Sequence, residues 1–199
     1  GFDLSGMLYA GNFRSGNDNI YVIDTYLDKH WQHHSDLRDQ KFKSQSLETT
    51  WSLNYQFNEN HTIGARYNFE RTPKDKAYSN QFTQTYCNEQ LYEGMHSMAT
   101  TNEPETYHRS NFYYNGKIKE WSIDFNADGF WMNTQSKQVA QEDITDGMSD
   151  SEDRNVTTKN TNSNELYASK LVISHPLGKG DLSFGAEYSH IKRNTTYLN

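Results

Sequence analysis

The chain alternates. In Trp51-Ser52-Leu53-Asn54-Tyr55-Gln56-Phe57 every odd position is apolar or aromatic and every even one is polar. A polar tetrapeptide, Asn58-Glu59-Asn60-His61, follows, and then Ile63, Ala65, Tyr67 and Phe69 alternate with Gly64, Arg66 and Asn68. A period of two places one residue set on each side of a β-strand, so the segment predicts a hairpin. The same design recurs where Trp121, Ile123, Phe125 and Ala127 alternate with Ser122, Asp124 and Asn126, preceded by a strand carrying Phe112 and Tyr114. Asn115-Gly116 between those two is a strong hairpin-turn signal. Leu182, Phe184, Ala186 and Tyr188 form another strand, with a partner carrying Tyr167, Ser169, Leu171 and Ile173. Near the N-terminus, Phe2, Leu4, Gly6, Leu8 and Ala10 predict one strand and 19–27 a second.

The pattern therefore predicts an all-β fold, an antiparallel up-and-down meander of about eight strands in four hairpins over 1–199. Pro73, Pro104 and Pro176 all fall outside the proposed strand interiors, where a missing N–H does least harm. Tight turns are expected near 12–18, 58–61, 115–118 and 175–180, and long polar loops near 28–46, 71–107 and 134–163. Compact soluble domains rarely carry several loops beyond about 12–15 residues, whereas outer-membrane barrels join strands by short turns on one side and long loops on the other. On that scheme both chain ends lie on the long-loop side. A strand pattern already running at Gly1 and an end at Tyr197-Leu198-Asn199 predict a segment of something larger.

Composition sharpens the class. Hydrophobic residues make up only 33% and mean hydropathy is -1.03, yet aromatics reach 14%. Disordered chains lack aromatics, and a transmembrane barrel needs apolar residues at only every second strand position. The expectation is a barrel, or part of one, in the bacterial outer membrane with lipid as a partner. Its lipid-facing or core face comprises Trp51, Leu53, Tyr55, Phe57, Ile63, Ala65, Tyr67, Phe69, Trp121, Ile123, Phe125, Leu182, Phe184 and Tyr188. The opposite, polar face carries Arg66, Asp124, Asp128 and Glu187, with Glu70 beside them. Alternation alone leaves open which face points outward. No run approaches the ~18 apolar residues of a membrane helix.

Net charge of -7 argues against nucleic acid as a partner. A single cysteine, Cys87, excludes an internal disulfide framework and a Cys-rich zinc site. Glu142, Asp143, Asp146, Asp150, Glu152 and Asp153 supply the oxygen ligands that Ca²⁺ takes, but their spacing is not that of an EF-hand and they read as a solvated acidic loop. His30, His33 and His34, with Asp36, are of the type that binds transition metals; in a polar stretch they read as loop residues, and no metal or cofactor is expected. Trp51, Trp121 and Trp131 stand near strand ends and read as interfacial anchors, leaving Trp31 as the one candidate for stacking a ligand. His175-Pro176-Leu177-Gly178-Lys179-Gly180 lacks the spacing of a phosphate loop. No catalytic arrangement is evident, and an enzyme is not expected.

Leu53-Asn54-Tyr55-Gln56-Phe57, the turn Asn58-Glu59-Asn60-His61 and Ile63-Gly64-Ala65-Arg66-Tyr67-Asn68-Phe69 resemble the barrel region of the Bacteroidetes-type outer-membrane β-barrel family related to TonB-dependent receptors. Leu182-Ser183-Phe184-Gly185-Ala186-Glu187-Tyr188 resembles it again. The resemblance implies uptake of an unknown nutrient through a 22-stranded barrel closed by an N-terminal plug, of which this chain supplies a minority of strands. An alternative from the strand count is a small closed eight-stranded barrel that binds a ligand or surface. An excised segment would leave open strand edges, and self-pairing through them is expected.

Overall fold

The computed structural model describes residues 1–26, 29–146 and 151–199. It is all-β, with eight antiparallel strands in one sheet: β1 (Phe2–Tyr26), β2 (His30–Asn58), β3 (His61–Cys87), β4 (Gln90–Asn102), β5 (Glu105–Ile118), β6 (Trp121–Asp146), β7 (Ser151–Leu177) and β8 (Gly180–Leu198). The order is a meander, β1-β2-β3-β4-β6-β7-β8, with β5 also lying between β3 and β6. β4 pairs with the distal part of β3 and β5 with its proximal part. The two therefore occupy a single position in the sheet, interrupted at Glu103-Pro104. Proline cannot donate to a ladder, yet the break is bridged: the Glu103 amide donates to the Asp75 carbonyl at 2.8 Å and the Gln135 amide to the Pro104 carbonyl at 3.1 Å. Seven ladder positions result, and β1 and β8 are the edges.

Several elements differ from the pattern-based expectation. The described residues of the stretches 28–46, 71–107 and 134–163 are nearly all strand, not loops. β2 runs for 29 residues and β3 and β7 for 27 each, about 90 Å at a rise near 3.3 Å per residue. The reason is physical: far from the apolar segment both sides of these strands are polar, so alternation vanishes while backbone pairing continues. No turn forms near 12–18. β1 passes straight through, and the irregularity sits opposite it in β2, where Asp39 takes φ 52 and its amide donates to Asp18 Oδ1 at 2.7 Å. Thus 2–10 and the described part of 19–27, as far as Tyr26, belong to one strand, while β4 escaped the pattern.

Asn115-Gly116 lies inside β5, paired across to Asp124 and Ile123, and the chain turns at Lys119-Glu120 with Lys119 at φ 57. The other turns on that side are Glu59-Asn60 and Gly178-Lys179, with Gly178 at φ 65. On the far side, Asn88 and Glu89 both adopt positive φ, 49 and 65, which suits a two-residue hairpin turn. Pro73 and Pro176 lie within strands, not outside them: Pro73 at an irregularity in the β2–β3 ladder, Pro176 beyond the last β6–β7 pair. With an odd number of ladder positions the chain ends lie at opposite ends of the sheet. Gly1 sits by Gln56 near the Glu59-Asn60 turn, and Leu198 pairs with Lys159 toward the other end.

Candidate functional site: the two faces of the sheet

Cross-strand register converts strand alternation into sheet-wide faces. One row reads Leu4, Leu53, Ala65, Phe112, Ala127, Ser169, Tyr188; the next toward the turns reads Phe2, Tyr55, Ile63, Tyr114, Phe125, Leu171, Ala186. Beyond it lie Ile123, Ile173 and Phe184, then Trp121, His175 and Leu182. In the other direction come Trp51, Tyr67, Gly129 and Tyr167, then Thr49, Phe69, His108 and Trp131. Phe57 packs edge-on against Tyr55. All the residues assigned to an apolar face by alternation thus share one side, termed the first face, as a continuous belt.

That belt is exposed. Leu8 is 71% accessible, and Trp51 and Phe184 are each 52%. Its margins are aromatic rings whose polar tips find partners. Trp131 Nε1 donates to the Tyr167 hydroxyl at 2.8 Å, and the Tyr67 hydroxyl lies 2.7 Å from His108 Nδ1. At the turn margin His61 Nδ1 lies 2.8 Å from the Tyr114 hydroxyl, and the Trp121 ring lies 4.4 Å from that of His175. A shallow hollow of about 460 Å³ crosses the belt, walled by Trp51, Tyr67, Trp131 and Tyr167 over Ala65 and Ala127.

The second face is polar along the same rows. Ser52, Arg66, Asn111, Asp128 and Ala168 form one row, and Asn54, Gly64, Tyr113, Asn126, Lys170 and Glu187 the next. Asp124 lies one row further, beside Asn115. Asn111 Nδ2 donates to Asn126 Oδ1 and to Asp128 Oδ1, both at 2.7 Å. Tyr113 crosses over Gly64 to donate to Asn54 Oδ1 at 2.7 Å; a Cβ on Gly64 would collide with that ring. Just beyond the Trp131 level, the Tyr107 hydroxyl donates to Glu105 Oε2 at 2.7 Å.

Burial also differs between the faces. Among the described residues, Thr72, Thr83, Ser97, Ala99, Thr134 and Ala140 are buried, with Gly64 and Gly129, and register puts all of these but Gly129 on the second face.

The remaining candidates do not converge. His30 and His34 lie on the opposite side of β2 from His33; His30 Nε2 meets Asp24 Oδ1 at 3.0 Å, and His33 Nδ1 lies 2.8 Å from the Thr85 hydroxyl. Glu142 is paired with Arg154, while Asp143, on the other face, lies 3.7 Å from His96. Asp150 falls outside the described residues. Among the described residues no group of three or more His, Cys, Asp or Glu is placed to hold a metal ion. Trp31 is in a strand, edge-on to Tyr92. No helix among the described residues is long and apolar enough to cross a membrane, which says nothing about strands.

No family model matches the chain, and no curated protein matches it. Among solved structures, the beta domain of the Bordetella autotransporter BrkA aligns over 96% of this chain and 98% of its own at 9% identity, with a TM-score of 0.15. At that score the likeness carries no argument about fold or function.

Proposed function

We propose that this chain forms part of the wall of a bacterial outer-membrane β-barrel, its first face against lipid and its second lining a wet lumen. The exposed first-face belt carries the reading. A contiguous apolar surface spanning seven ladder positions is untenable in water, and its dimensions suit a bilayer. Trp121 and Trp131 mark its margins on β6, ten residues apart. That is about 33 Å along the strand and about 23 Å in height at a tilt near 45°, against a band of about 25 Å flanked by aromatic girdles in outer-membrane barrels. The concentration of buried residues on the second face, as on the inner side of a curved wall, supports the first face pointing outward, and the Arg66–Asn111–Asp128 row supports a wet interior.

The finer form of the proposal is nutrient uptake by a receptor of the TonB-dependent kind, supported by the resemblance of the Leu53–Phe57 and Ile63–Phe69 strands. No reaction is assigned to the chain. The edges at β1 and β8 favour a portion of a larger wall over a small closed module: each needs a neighbouring strand, from the same wall or from another copy. Cysteine accessibility tests the faces. With Cys87→Ser as background and the protein in vesicles, Phe112→Cys and Tyr55→Cys should resist a water-soluble maleimide while Asn111→Cys and Asn54→Cys react. Equal labelling of both sets sinks the reading.

A further inference from the structure

Six residues beyond Trp131 on β6, the first face changes character. One cross-strand row there reads Arg14, Lys43, Lys76, Asn102, Lys137, Lys159. These bases come from five different strands and all are exposed. Arg71 and Lys74 extend the patch toward the belt on β3. Row by row from Ala10/Leu47 to Gly16/Lys41, the first face contains no acidic residue. The acids of the same stretch, Asp75, Glu103 and Glu105, stand on the second face. In a chain of net charge -7 this is a segregation by face, not an excess of base.

The arrangement is unfavourable by itself. Arg14 is directly opposite Lys43, Lys43 opposite Lys76, and Lys137 opposite Lys159, and like charges directly opposed destabilise an antiparallel pair. Among the described residues none of these five has an ion-pair partner, while Lys41, one row on, does have one in Asp39 at 3.7 Å. An anion from outside the chain would relieve the repulsion. Position says which. The row lies about 20 Å along the strand from Trp131, about 14 Å in height at the same tilt, so its backbone stands just outside the headgroup layer and its long side chains reach back into that layer when the belt is in lipid.

Resting on the membrane reading above, we propose that this row binds the phosphate groups of anionic lipid headgroups in the leaflet on its side. Arg14, Lys43 and Lys76 form one cluster about 10 Å wide, adjacent strands being about 4.8 Å apart. Lys137 and Lys159 form a second, set off by the uncharged β4 position, Asn102. Lysine binds phosphate as a point charge and arginine can do so bidentately, so the row suits several phosphates side by side.

The test uses the whole chain in vesicles of phosphatidylcholine doped with a labelled lipid, either phosphatidic acid or phosphatidylcholine, reading energy transfer from tryptophan to the label. Insertion is followed separately by quenching with lipids brominated in the acyl chain. The expected result is insertion throughout, enrichment of phosphatidic acid around the wild-type protein, and decline of that enrichment with salt. Lys43→Gln/Lys76→Gln/Lys137→Gln/Lys159→Gln should abolish enrichment and keep insertion, each neutralised charge costing about five-fold in lipid preference. The matching Lys→Arg variant should retain it, as should Glu103→Gln/Glu105→Gln on the other face. Insertion without enrichment in the wild-type protein overturns the headgroup site and leaves the membrane reading standing. Enrichment that survives the four Lys→Gln changes also overturns it. Failure of the wild-type protein to insert overturns both.

Discussion

Ala127 and Ala168 offer a paired test of sidedness. Both lie on adjacent strands at nearly the same level: Ala127 pairs with Ser169 on the first face, and Ala168 pairs with Asp128 on the second. Ala127 is four residues from Trp131 and six from Trp121, about 9 Å and about 14 Å in height at a 45° tilt. It therefore sits within about 3 Å of mid-belt, where an arginine on the lipid face costs about 2–4 kcal/mol. Ala127→Arg should lower the folding equilibrium into vesicles by roughly 30- to 700-fold, at about 1.4 kcal/mol per decade. Ala168→Arg faces the opposite way, beside the Asp128 carboxylate, and should cost less than about 1 kcal/mol. Urea titration of the chain in short-chain phosphatidylcholine vesicles, followed by tryptophan fluorescence, reads both. Equal costs, or a larger cost for Ala168→Arg, would refute the assignment of the first face to lipid.

Gly64→Ala should destabilise the sheet by about 1–3 kcal/mol, because the new Cβ displaces the Tyr113 ring and breaks its bond to Asn54; adding Tyr113→Ala should recover part of that loss in a double-mutant cycle. At the far tip of the β1–β2 hairpin, hydrogen bonds from His30 and then Gln32 hold the Asp24 carboxyl below its ordinary 3.8. A depressed carboxyl stabilises above its unfolded pKa and loses that contribution as pH falls through its folded one. Protection of the amides near Asp24 and His30, taken relative to their intrinsic exchange rates, should therefore fall as pH drops below 3.8, and Asp24→Asn should remove the dependence.

The belt was legible in the residue order because one side of each strand there is apolar and the other polar. Trp51, Leu53, Tyr55 and Phe57 announce their common side without any partner in view. The strands beyond the belt were not, because residues such as Lys74, Asp75 and Lys76 are polar on both sides and carry no period. The same loss hid β4 and made Gly16-Asn17-Asp18-Asn19 look like a turn, although pairing with β2 carries that stretch straight on. Asn115-Gly116 has turn chemistry, but the ladders to β3 and β6 hold it extended and push the turn to Lys119-Glu120.

Residue order by itself determined that strands of alternating character exist and which residues share a side within each. Tertiary pairing decided the rest, because it fixes relations between residues far apart in the chain. Only register joins Arg14, Lys43, Lys76, Lys137 and Lys159 into one row. Only the merging of β4 and β5 into one position puts the chain ends at opposite ends of the sheet. And only the sheet, by burying Thr72, Thr134 and Ala140 on one side, makes the two faces unequal.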